Sequence, residues 1–90
     1  MVATMEPALK DLQQIPGVGK ELSRMFWSIG IHSVRDLDGG NPDELYQKIC
    51  DFKGTRVDRC VLYVLRCAVY YASNQKHSAE LLKWWNWKDC

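Results

Sequence analysis

The stretch LQQIPGVGKELSRMF, residues 12–26, decides how this chain folds. Gly17 and Gly19 stand one residue apart, with Pro16 before them and Lys20 after. Glycines so close together cost backbone entropy, which marks a tight turn or a close approach of backbone to another group. Downstream, Leu22, Met25, Phe26 and Ile29 fall on one helical face, and Gly30 is a C′ stop. Upstream, a helix is predicted over about 7–14, beginning near Pro7 and carrying Leu9 and Leu12. The stretch therefore reads as two short helices joined by a glycine turn.

The same grammar continues outward. Ser33 with Asp36, Asn41 with Glu44, and Thr55 with Asp58 each place an N-cap candidate three residues before an acid. Pro42 strengthens the middle one by occupying the first helical position. From Val57 to Ala72 the sequence VDRCVLYVLRCAVYYA is apolar nearly all round, which predicts a central helix wrapped by its neighbours. Arg59, Tyr63, Arg66 and Tyr70 form the one stripe through which it can face solvent or a ligand. No alternating strand pattern occurs, so the expected class is all-α. Laid over itself, the chain repeats at an offset of 37. Leu12, Ile15, Gly17, Val18, Gly19, Ser23 and Phe26 return as Ile49, Phe52, Gly54, Thr55, Arg56, Cys60 and Tyr63. That correspondence reads as a degenerate duplication in which Arg56 replaces the second glycine.

Ninety residues suit one domain, 1–90, with no room for a second core. Hydrophobic residues make up 47% and charged residues 26%, the balance of an ordinary globular chain. No apolar run approaches the roughly 18 residues of a membrane span. The opening MVATMEPALK lacks a basic segment followed by an apolar one, so no signal peptide and no membrane partner are expected, and the expected address is cytoplasmic. The four cysteines then read as reduced thiols. Cys60 and Cys67 lie about 10 Å apart along one helix, too far for a mutual disulfide or a shared zinc. No metal and no cofactor are expected. Net charge is only +1, but it is unevenly spread. Residues 36–51 hold five acids and one base, whereas 52–67 hold Lys53, Arg56, Arg59 and Arg66 against Asp58.

A turn between helices accounts for one glycine more readily than for two followed by a lysine. At the start of the second helix, free N–H groups and the helix dipole favour an anion. Amides near Gly17, Val18 and Gly19 suit a phosphate, with charge from Lys20 and Arg24. Such a site grips nucleic acid without reading bases, and it holds no nucleophile or general base. No catalytic residues are expected.

Leu12-x-x-Ile15-x-Gly17-Val18-Gly19-x-x-x-Ser23-x-x-Phe26 resembles the helix-hairpin-helix motif, in which alanine is usual at the Ser23 position. That resemblance implies sequence-independent binding of DNA, hairpin amides to phosphates, usually from the minor-groove side. It implies a five-helix tandem (SAM-like) domain. The first motif would span about 7–30, a connector 33–38 and a degenerate second motif about 42–73. A Trp-rich helix would follow in the tail, 78–90. Pro16, Gly17, Val18, Gly19, Lys20 and Arg24 would form the main contact, and Lys53, Arg56 and Arg59 a weaker one. LQQIPGVGK, VDRCVLYVLRCAVYYAS and LLKWWNWKD resemble more narrowly a small bacterial pathogenicity-locus family of helix-hairpin-helix proteins. LSRMFWSIGIHSVRDL is similar to the C-terminal domain of competence regulators. With Arg56 in place of glycine, the second hairpin loses the intimate backbone approach.

The tail LLKWWNWKDC crowds three of the four tryptophans together, with Ser78 as a candidate cap. Trp84, Trp85 and Trp87 seal one end of the long helix in the plainer reading. Three rings cannot all turn one way, so at least one is expected to stay exposed. Beside Lys83 and Lys88, an exposed ring suits stacking on an unpaired base or anchoring a protein interface. Two partners therefore stand open: the DNA backbone, or an unidentified protein held by the tryptophan surface. A thiol-based sensor has only the number of cysteines behind it, and an enzyme has no converging acid, base and nucleophile.

Overall fold

The computed structural model describes residues 5–87; residues 1–4 and 88–90, with Lys88 and Cys90 among them, lie outside that range. Among the described residues there are four α-helices and no strand: α1 (Met5–Leu12), α2 (Lys20–Ser28), α3 (Pro42–Lys53) and α4 (Arg59–Ser73). The all-α class is therefore as expected, but the count of five helices is not. The connector is a single 3-10 turn, Val34–Leu37, and the tail forms two more, Glu80–Leu82 and Trp84–Trp87.

Remote partners explain the shortfall. The Ser33 side chain caps nothing. Instead the Asp11 carboxylate on α1 accepts the Val34 N–H at 2.9 Å, and Asp36 accepts the His32 N–H at 2.9 Å. The turn is thus tied down sideways, and it ends where Gly40 N–H closes on the Leu37 carbonyl at 3.0 Å. Its yield to the fold is Leu37, which is fully buried.

Local chemistry set the other ends. Asn41 accepts from the amides of Asp43 and Glu44, with Pro42 at the first position of α3. Gly30 takes φ +95°, and Ile31 N–H closes back on the Phe26 carbonyl at 2.8 Å to stop α2. Gly54 takes φ +74°, while its own N–H and that of Thr55 return to the Cys50 carbonyl. Thr55 does not cap α4. Asp58 does, accepting the Cys60 N–H at 2.9 Å, so the helix starts at Arg59 and not at Val57.

Leu12, Ile15, Val18, Leu22 and Phe26 from the first hairpin meet Leu45 and Ile49 of α3 and Val64, Leu65 and Ala68 of α4 in one core. Each of the larger side chains, fully buried, contributes about 1.5–3 kcal/mol. α4 is the central element, touching α3, the connector turn and both tail turns. Its expected open stripe is covered in part. Arg66 Nη1 donates to the Trp87 carbonyl at 2.7 Å, and the Tyr70 and Trp87 rings stand 5.6 Å apart.

Burial also corrects the internal repeat. The offset of 37 pairs Leu12 with Ile49, both buried, and Gly17 with Gly54, both at positive φ. Beyond the turn it fails, because it pairs buried Ser23 with exposed Cys60. An offset of 39 aligns the starts of α2 and α4, and pairs Phe26 with Leu65, both fully buried. The second turn is two residues longer than the first.

Candidate functional site

The turn between α1 and α2 assigns its two glycines different work. Val18 N–H donates to the Ile15 carbonyl at 3.0 Å, with Pro16 and Gly17 between them. Pro16 presets the first inner position and Gly17, at φ +90°, supplies the left-handed second one, the pattern of a type II turn. A Cβ on Gly17 would also lie 2.9 Å from Cδ1 of Trp84. Gly17 is thus required by the fold itself.

Gly19 is not. Its φ of −99° suits any residue, and a Cβ there would meet nothing within 4 Å. It stands at the N-cap of α2, where no side chain supplies a capping bond. The N–H groups of Gly19, Lys20, Glu21 and Leu22 consequently have no partner among the described residues. Val18, expected as a third amide donor, is not one. Its N–H is used inside the turn, and its side chain is buried in the core.

Charge gathers beside these amides. Lys10 from α1 joins Lys20 and Arg24 from α2 around an open hollow of about 210 Å³, floored by Leu9 and Gln13. Among the described residues no carboxylate lines this hollow. The buried Ser23 hydroxyl braces it from beneath, donating to the Lys20 carbonyl at 2.8 Å and accepting from Gln13 Nε2 at 3.2 Å. The sequence alone does not single out Lys10. Its only signal in the sequence is its place one turn after the start of α1, next to core residue Leu9.

The second group of cations is divided between two places. Lys53 lines a different groove with Arg24, next to the first hairpin. Arg56 lines a hollow of about 480 Å³ by the second turn, together with Asp51, Tyr46 and Cys50. Arg59 is exposed at the first position of α4. Arg56 and Arg59 both act electrostatically on Tyr46, whereas Lys53 lines the other groove.

The second turn, moreover, already carries its own anion. The Asp58 carboxylate sits at the start of α4, where a phosphate would have to bind, and accepting the Cys60 N–H holds its carboxyl below the usual range. A lowered folded pKa stabilises the fold above the unfolded value, near 3.8, and that contribution disappears as pH falls through the lowered one. Wild-type protein is accordingly expected to lose stability more steeply than Asp58→Asn between about pH 5 and pH 2. Urea midpoints across that range would check it, and parallel curves would refute it.

The tryptophans divide as well. Trp84 packs against the core and over Gly17. Trp87 donates its indole N–H to the Leu81 carbonyl at 2.7 Å. Trp85 is the ring left out, 49% exposed and edge-on to Trp84 at 5.7 Å. Of the three expected surface tryptophans, then, two are mostly occupied within the fold. Ser78 is not a side-chain cap; its backbone N–H donates to the Tyr70 hydroxyl at 2.8 Å.

The cysteines differ from one another. Cys67 is buried, its thiol 3.5 Å from the Leu82 carbonyl, and burial pushes its pKa up. Cys50 is half-buried and Cys60 exposed. Among the described residues no three His, Cys, Asp or Glu side chains gather in a metal-holding group, and no helix is long and apolar enough to cross a membrane.

A family model described as Cdd1, pathogenicity locus, matches residues 5–90. A mitomycin resistance protein of Streptomyces lavendulae, McrB, is 31% identical over 77 residues, covering 86% of this chain and 70% of that relative. No solved structure matches.

Proposed function

We propose that this chain, which belongs to the Cdd1 pathogenicity-locus family, is a non-catalytic helix-hairpin-helix module that holds DNA by its phosphates. The observation that carries the reading is Gly19. Nothing in the fold requires glycine there, and its bare backbone leaves the amides of Gly19, Lys20, Glu21 and Leu22 open to an anion. A serine, aspartate or asparagine at that N-cap would satisfy one or two of them internally. Lys10, Lys20 and Arg24 supply the charge around the same point. In this reading a phosphate oxygen accepts from the amides at the start of α2, favoured by the helix dipole, while the three cations hold the flanking backbone.

The grip is one-sided, because Asp58 occupies the corresponding place in the second turn. A single hairpin suits non-specific affinity, about 10⁻⁴–10⁻⁶ M at physiological salt. Base edges play no part, so affinity follows salt and not sequence.

Titration of a short labelled duplex against salt tests this. Three phosphate-facing cations predict a slope of about −3 in log K against log salt. Lys10→Ala and Lys20→Ala should each reduce that slope by about one, and Trp85→Ala should leave it unchanged. A slope insensitive to both lysines would overturn the proposal. So would equal losses in Lys20→Ala and Trp85→Ala, which would favour an adaptor acting through the exposed tryptophan.

A further inference from the structure

Phe52 is the most exposed of the large apolar side chains among the described residues, at 57%. At the offset of 37, which holds up to the turn glycine, it answers to Ile15, which is 1% exposed and part of the core. The second hairpin thus turns outward a position that the first buries. A lone exposed aromatic needs no explanation by itself, but this one is not alone.

Phe52 and Lys53, at the end of α3, face Glu21, Arg24, Met25 and Ser28 of α2 across an open groove of about 210 Å³. Met25 gives it an apolar wall, packed against the core. Arg24 and Lys53 are exposed and carry no ion pair among the described residues, Glu21 being the one carboxylate on the rim. Arg24 also lines the basic hollow beside Lys10 and Lys20. The groove is therefore continuous with the proposed phosphate site, one helical turn along α2.

An aromatic face with guanidinium and ammonium groups on either side is what an unpaired nucleobase and its phosphates require. Duplex bases are stacked on one another and cannot use it. We infer that the Phe52 groove binds an unpaired nucleotide, the base stacked on Phe52 and its phosphates flanked by Arg24 and Lys53, so that the protein prefers a duplex with a single-stranded extension. The inference deepens the reading of the first hairpin as a phosphate site and rests on it for the duplex part of the ligand.

Three labelled probes at one low salt concentration separate the two claims: a blunt duplex, the same duplex with an oligothymidine extension on either end, and the oligothymidine alone. The extended duplex should bind on the order of tenfold tighter than the blunt one. Phe52→Ala should abolish that difference and leave the blunt duplex affinity and the unfolding midpoint unchanged, since the ring is mostly solvated. Phe52→Trp should preserve the preference. Equal affinity of wild type for blunt and extended duplexes overturns the inference, as does a preference that survives Phe52→Ala. If the blunt duplex does not bind but the oligothymidine does, and depends on Phe52, the groove stands and the hairpin reading falls. If no probe binds, both fall.

Discussion

Gly19→Asp is expected to make the protein more stable and, in the same molecule, to weaken its binding to duplex DNA about tenfold or more. The backbone at Gly19 is extended and a side chain there meets open space, so aspartate fits without strain. Its carboxylate accepts from the free amides one turn into α2, worth a few tenths of a kcal/mol over glycine at an N-cap. Loss of glycine's freedom in the unfolded chain adds about 0.4–1 kcal/mol. A total near 1 kcal/mol raises the unfolding midpoint of a domain this size by about 4–8 °C. The same carboxylate fills the amides and meets an incoming phosphate with like charge, so duplex affinity should fall by about tenfold or more. Asp58 is the natural precedent, capping α4 in just this way. Thermal melts paired with a duplex titration check both halves. Undiminished binding in a stabilised variant would remove the hairpin amides from the interface.

Gly17→Ala should do the reverse, damaging the fold first. A left-handed residue with a Cβ costs about 1–2 kcal/mol. The new methyl also lies 2.9 Å from Cδ1 and 3.4 Å from Cγ of Trp84, atoms near the root of the indole that cannot swing aside cheaply. The ring must leave its place against Val64 and the core, so the total should reach about 2–3 kcal/mol. That is a fall of about 8–24 °C in midpoint, with a change in tryptophan fluorescence. Gly19→Ala, measured alongside, should stay within about 0.5 kcal/mol of wild type. In a double-mutant cycle, Gly17→Ala should cost less in a Trp84→Ala background, because the clash is gone and only the backbone penalty is left. Additive losses would mean that Trp84 does not press on this turn.

These two glycines show how far the sequence could be read. Both were visible as a pair, and the pair correctly marked a turn with an exposed helix start after it. Their separate roles were not visible. The need for Gly17 comes partly from an indole 67 positions away, and the freedom of Gly19 is the absence of any such neighbour. Val18 illustrates the same limit at shorter range. Its place between the two glycines suggests an amide donor, yet the type II turn directs its N–H inward.

Caps divide along the same line. Asn41, Pro42, Gly30 and Gly54 act within a turn of their own position, where nothing distant competes, and each behaves as its residue type predicts. Ser33 and Thr55 had equally good local credentials and cap nothing. At Ser33 the carboxylate of Asp11, 23 residues earlier in the chain, holds the amide of Val34. At Thr55 the longer second turn moves the helix start on to Asp58. The repeat at 37 concealed that lengthening, since sequence similarity tolerates a shift of register that burial does not.

Helical class, the position of the first turn, the central place of the long apolar helix and membership of the family were thus all legible in the residues themselves. They depend on periodicity, on glycine and proline stereochemistry, and on a motif local to one hairpin. Which cations gather, which ring of the tail is left in water, and which helix start is left without a side-chain cap were decided by packing. Lys10 reaches Lys20 and Arg24 because α1 lies against α2; Lys53 reaches Arg24 because α3 ends beside it. Trp84 is withdrawn because Gly17 leaves room for its ring. Charge and aromatic surface act through space, and distance through space is fixed by the folded core, not by spacing along the chain.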